Sequence, residues 1–121
     1  MAQLDFIYPR ATLESGSNET DLINIKGCAL MGFVFPVGFN SSTISLKAKI
    51  KPDFASGGYL GPYLVVDPTT GNDVVIYTGG TEGNFVPVTP GDLTALQYFS
   101  IVSSSAANAD YEIIVVARPL Q

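Results

Sequence analysis

The sequence predicts an all-β protein, an antiparallel sandwich or barrel with at most one short helical turn. Three observations predict it. Gly, Pro, Asn and Ser punctuate the chain throughout; the intervals between them are short and rich in Val, Ile, Tyr, Phe and Thr; and the clearest segment, 43–51, alternates apolar and polar residues with period two. At 121 residues the chain has the length of one domain, able to bury roughly two thirds of the surface its unfolded form exposes. Strands are expected at 10–14, 20–25, 29–35, 43–50, 60–66, 73–78, 84–88, 97–103 and 110–118.

Taken in order, residues 1–9 read as an N-terminal arm and 10–121 as the sandwich domain. The arm holds Leu4, Phe6, Ile7 and Tyr8 where a free tail is normally polar, which marks it as a docking segment. In Met31 to Asn40 both alternating sets are apolar, and Pro36 has no amide hydrogen to continue a ladder. The strand must therefore end near Phe35, with Phe39 turned back over the end of the sandwich as a plug. In 43–51, Ile44, Leu46, Ala48 and Ile50 share the inner face, while Lys47, Lys49 and Lys51 share the outer one. The runs 63–66 and 113–116 are apolar on both faces, the pattern of strands covered on both sides. Asp67-Pro68-Thr69-Thr70-Gly71-Asn72-Asp73 is a hairpin connection, with proline and glycine supplying the special backbone angles. Residues 90–96, with Thr89 as cap, form the single helical candidate, and 103–109 is a small-residue loop that is mobile unless a neighbour covers it.

Composition narrows the function. Only 14% of residues are charged against 46% hydrophobic, and mean hydropathy is +0.28. A small domain with so few charges cannot clothe its whole exterior in ions, so part of its surface is expected to be covered by partners, copies of itself foremost. Six basic and eleven acidic residues leave a net charge of −5, which repels phosphate backbones and argues against nucleic acid. No apolar run approaches the roughly 18 residues of a membrane span, and the N-terminus lacks the pattern of a secretory signal, so an intracellular or virion protein is expected. The sequons at Asn18 and Asn40 then read as turn chemistry.

Candidate chemistry is sparse. Without histidine there is no imidazole base for a serine or cysteine nucleophile, and Cys28, set among apolar residues, reads as a small core hydrophobe. Asp110 and Glu112 would share a strand face as solvated acids, and Asp67, Asn72 and Asp73 do not match the spaced ladder of a calcium loop. The expectation is a protein without catalytic residues, metal or cofactor. Partner contacts are expected at the arm, at Tyr59 and Tyr63, whose rings pair an apolar body with a polar tip, and at the lysine stripe. The stripe of Lys47, Lys49 and Lys51 either guards a sheet edge, its commoner role, or grips an acidic partner.

The order of several marks resembles a module of tailed bacteriophages, the capsid decoration or cement proteins and related small virion proteins. It rests on Ala11-Thr12-Leu13, Ser15-Gly16, Asp21-Leu22, Gly32-Phe33-Val34-Phe35-Pro36 ahead of Ile44-Ser45-Leu46-Lys47-Ala48, then Asp67 with Gly71, Val86-Pro87-Val88-Thr89-Pro90, Phe99-Ser100-Ile101-Val102-Ser103 and a closing Arg118-Pro119-Leu120. The resemblance covers most of the chain and departs at residues 51–58, where many relatives carry an Asp-Gly turn. It implies a jelly-roll-like β-sandwich that forms homotrimers on the outer capsid, binds the major capsid protein and braces it without catalysis. Such a protein is made in the host cytoplasm and ends on the virion. The residue pattern alone leaves jelly-roll and immunoglobulin strand orders both open. A carbohydrate-binding or adhesion module of a tail or fibre, with Tyr59 and Tyr63 stacking on sugar rings, is the alternative.

Overall fold

The computed structural model describes residues 5–40, 43–50, 58–66, 70–77, 83–88 and 96–119. Within them lie nine strands: β1 (Arg10–Leu13), β2 (Ile23–Asn24), β3 (Cys28–Val34), β4 (Thr43–Ile50), β5 (Leu60–Leu64), β6 (Ile76–Tyr77), β7 (Phe85–Pro87), β8 (Tyr98–Ser103) and β9 (Tyr111–Pro119). Each expected strand has its counterpart. Of the helical candidate at 90–96 and its cap Thr89, only Leu96 is described, and it is buried; Leu4, Lys51, most of the 51–58 loop and Asp67 also lie outside the described residues.

Two antiparallel sheets pack face to face. One runs β1-β9-β3-β7; the other runs β2-β8-β4-β5, with β6 set beside β5 along the same flank of β4. Apolar residues at alternate positions of both sheets meet between them: Leu13, Phe33, Ile113 and Val115 from the first, Ile44, Leu46, Phe99 and Ile101 from the second, all essentially without solvent contact. Phe33 and Phe99 join the layers edge to face, with ring centroids 6.4 Å apart. Cys28 closes the same core as a buried thiol.

Strict alternation would set Leu30 and Phe33 on opposite faces of β3, yet both are fully buried. A bulge reconciles them. Leu30 pairs with Ala117 and Gly32 with Val116, so Met31 is an extra residue that turns the rest of the strand over. Phe35 therefore points inward just past the end of β3. The chain then turns at Gly38, with φ of +87°, and the Phe39 amide donates to the Pro36 carbonyl. Phe39 folds back against Phe35 and Tyr111, at centroid distances of 5.2 and 5.1 Å, and the Tyr111 hydroxyl donates to the Gly38 carbonyl at 2.9 Å. The plug expected from the sequence is in place.

The small-residue loop is held within the chain. Ala107 is buried and exchanges backbone hydrogen bonds with Gly16 and Ser17, while the Asn40 side chain donates to Ala106. A second irregularity lies beside β2. The Thr20 amide donates to the Ile101 carbonyl, and the Ile101 amide donates to the Thr20 hydroxyl instead of to a backbone oxygen. The register then shifts by one residue before Ile23 pairs with Phe99. This shift shortens the strand expected over 20–25.

Candidate partner-binding surface

The sandwich hides its apolar residues unevenly, and the partner-contact candidates sort by where the sheets place them. The arm is an extension of β1. Ile7 and Ala117 exchange amide-to-carbonyl bonds of 2.9 and 3.0 Å, and the Val115 amide donates to Pro9 at 2.8 Å, in the register that pairs Arg10 with Ile114. By alternation Ile7 falls on the inner side with Ala11 and Leu13, whereas Phe6 and Tyr8 stand outward. Tyr8 is 60% exposed.

Lys47 and Lys49 stand on a central strand. β4 is flanked by β8 on one side and by β5 and β6 on the other, so the edge-guard role does not apply: there is no edge at β4 to guard. Lys47 instead bonds Glu19 at 3.0 Å, and the other oxygen of Glu19 accepts from Ser100 at 3.0 Å. Partial burial of Glu19 pushes its pKa up, but the hydrogen bonds from Lys47 and Ser100 and the charges of Lys47 and Lys49 outweigh it and hold the carboxyl below its ordinary value. Ser45, Lys47 and Lys49 of β4, Ser100 of β8 and Asn24 of β2 make the outer face of the five-stranded sheet polar.

Tyr59 and Tyr63 do not form one platform. The pairing of β5 with β4 shifts by a residue between Tyr63, opposite Ala48, and Leu60, opposite Ile50. Tyr63 thus lies on the inner side with Ala48, while Tyr59 packs edge to face on Tyr98 of the outer side, 5.2 Å between centroids. What β5 does present is apolar exposure along its whole length: Leu60, Tyr63 and Leu64 are about half exposed, and neighbouring Ile50 and Val66 likewise. The both-sided cover expected for 63–66 is absent because β5 is the last strand of its sheet, whereas 113–116 on central β9 are largely covered.

The acids have structural employment. Asp110 accepts the Ser15 amide at 2.8 Å, and Glu112 pairs with Arg10 across the β1-β9 ladder, so the two carboxylates serve separate contacts. The Val66–Asp73 bridge closes the hairpin around Thr70 to Asn72. Among the described residues no three histidine, cysteine, aspartate or glutamate side chains gather as a metal cluster. A groove of about 290 Å³ runs between the sheet edges, from Pro9–Thr12 to Asp21–Asn24.

Sequence reasoning missed one surface, the outer face of the four-stranded sheet. Cross-strand register sets Phe85, Val34, Ile114 and Arg10 in one row, and Pro87, Gly32, Val116 and Tyr8 in the next. That face is largely apolar, interrupted by Thr12, by the Arg10–Glu112 pair and by Arg118. Compared with protein-family models, with characterised proteins and with solved structures, the chain finds no match.

Proposed function

We propose that this chain is a non-enzymatic virion structural protein, a cement or decoration protein that binds the outer surface of a tailed-phage capsid and braces contacts between major capsid subunits. The observation that carries the proposal is β5: a sheet-edge strand with every residue exposed and three of its five side chains large and apolar. Such an edge in a stable protein calls for a covering surface. In a shell it is covered by coat subunits, and many weak apolar contacts repeated by symmetry give firm attachment without any one strong bond.

Strand order supports the jelly-roll reading. The chain changes sheet at every connection except those joining β4, β5 and β6. With β6 set aside as an insert, the orders β1-β9-β3-β7 and β2-β8-β4-β5 are those of an eight-stranded jelly roll and differ from the immunoglobulin arrangement. The link from that fold to a virion is one of analogy, which the resemblance in sequence order reinforces.

The test is uptake by heads that lack the protein. Added wild-type chain is taken up and seen on the outer shell by cryo-electron microscopy. A Leu60→Lys/Leu64→Lys variant that keeps the wild-type circular dichroism is taken up at least about tenfold more weakly. Equal uptake of the two, or no wild-type density on the shell, overturns the reading.

A further inference from the structure

We infer that the free edge of β1 pairs antiparallel with β1 of a second copy of this chain across a two-fold axis, joining two four-stranded sheets into one continuous sheet. The inference goes beyond the capsid reading, uses a different edge from β5 and stands or falls apart from it.

The register shows which backbone groups of β1 are unpaired. Ile7 and Ala117 exchange both their backbone bonds and the Val115 amide donates to Pro9, so Ile7, Pro9, Ala11 and Leu13 turn toward β9. The backbone groups of Phe6, Tyr8, Arg10 and Thr12 therefore point away from β9, and no described residue bonds them. The groove from Pro9–Thr12 to Asp21–Asn24 leaves that side open.

The other edges are closed to a further strand. The Val88 amide donates to Met31, which turns the nitrogen of Pro87 outward from β7; the Val65 amide donates to Leu46, which by alternation does the same for Pro62 of β5. A proline so placed offers no donor, and β2 is only two residues long. On β1 the proline faces the other way. Pro9 gives up a bond to its own neighbour and leaves every donor of the free side in place, on a strand with no lysine and no bulge against β9.

What identifies the occupant is symmetry about Pro9. An antiparallel pairing centred there sets Tyr8 opposite Arg10 of the second copy and Phe6 opposite Thr12, and the reverse, which is four residue pairs with two hydrogen bonds each. Every free group from Phe6 to Thr12 is then satisfied. The exposed Tyr8 ring lies beside a guanidinium, and the half-exposed Ile7 meets Ala11 on the inner side. Shifting by two residues either way leaves ends unpaired, and one of the two shifts opposes Arg10 to its own copy. The resemblance implies three copies; an edge pairing of this kind closes at two.

Cross-linking and light scattering test it, with circular dichroism as the control for folding. The wild type is expected to weigh as two chains at micromolar concentration. Under oxidised glutathione, Pro9→Cys is expected to form a two-chain disulfide, because residue 9 faces its own copy across the axis at about 4.5 Å between Cα atoms. Thr12→Cys, exposed on the same strand, holds its thiols about 20 Å apart and cross-links at least about tenfold more slowly. Wild type controls for the buried Cys28. Thr12→Pro removes an outward donor without touching the β9 ladder and raises the dissociation constant about tenfold or more. Equal cross-linking of the two cysteine variants, an unchanged dissociation constant for Thr12→Pro, or a wild-type mass of one or of three chains each overturns the inference. Uptake by heads through β5 is a separate measurement and survives any of these results.

Discussion

At Gly32 a Cβ would stand 2.6 Å from the Val86 carbonyl oxygen and as close to the Phe85 ring, which lies over the glycine. The residue is there for want of room, not for backbone freedom, since its φ is not positive. A ring can swing aside but a ladder carbonyl cannot. Gly32→Ala is therefore expected to cost about 1–3 kcal/mol, seen as a fall of several degrees in the unfolding midpoint. Glu19 supplies a second test at this scale. Its folded pKa lies below the ordinary 4.5, so its contribution is fully present above that value and is lost as pH falls through the folded one. Because both partners keep about a third of their surface in water, the pair is worth only about 0.5 kcal/mol. Denaturant midpoints of wild type and Glu19→Gln should differ by that amount at pH 7 and converge in acid.

Among the elements, the turn after β3 shows how a sequence pattern becomes a lid. Pro36 ends the ladder, Gly38 reverses the chain, and Phe39 lands between Phe35 and Tyr111 at 4% exposure. Truncating a buried phenylalanine leaves a cavity as well as losing transfer energy, so Phe39→Ala should lose about 3–5 kcal/mol in equilibrium unfolding. A loss below about 1 kcal/mol would show the end of the sandwich to be closed by other side chains. The elements also show where periodicity misleads. Met31 is counted in the sequence like any other residue, but as a bulge it resets the alternation of β3, and this is what lets Leu30 and Phe33 both enter the core. Thr20 does similar work beside β8 by lending its hydroxyl where the ladder slips.

For the whole molecule, the decisive feature is the contrast between two outer faces. One sheet sets Ser45, Lys47 and Lys49 on its outer side; the other sets Phe85, Val34, Ile114 and Tyr8 there, beside the Arg10–Glu112 pair. With 14% of its residues charged, the domain shows a largely apolar face and an apolar edge among its described residues. Association through such a face depends little on ionic strength, because Debye screening acts on charges and not on apolar burial. Capsid uptake through β5, the binding proposed above, should therefore persist when salt is raised from 0.1 M to about 1 M. Dissociation at high salt would place the energy in ion pairs instead.

Strand positions, the core face of β4, the Phe39 plug and the inward place of Cys28 were legible in the amino-acid order, because burial and turn chemistry act over a few neighbouring residues. The shortage of charge on which the expectation of a partner rests was legible too, as composition. Only the tertiary structure decided that β4 is central, that Lys47 is occupied by Glu19, that Tyr59 and Tyr63 lie on opposite sides of β5, and that the outer face of one sheet is largely apolar. Each of these depends on which strands become neighbours and in what register. Hydrogen bonding between distant segments sets that register, and a one-residue slip moves every side chain to the other face.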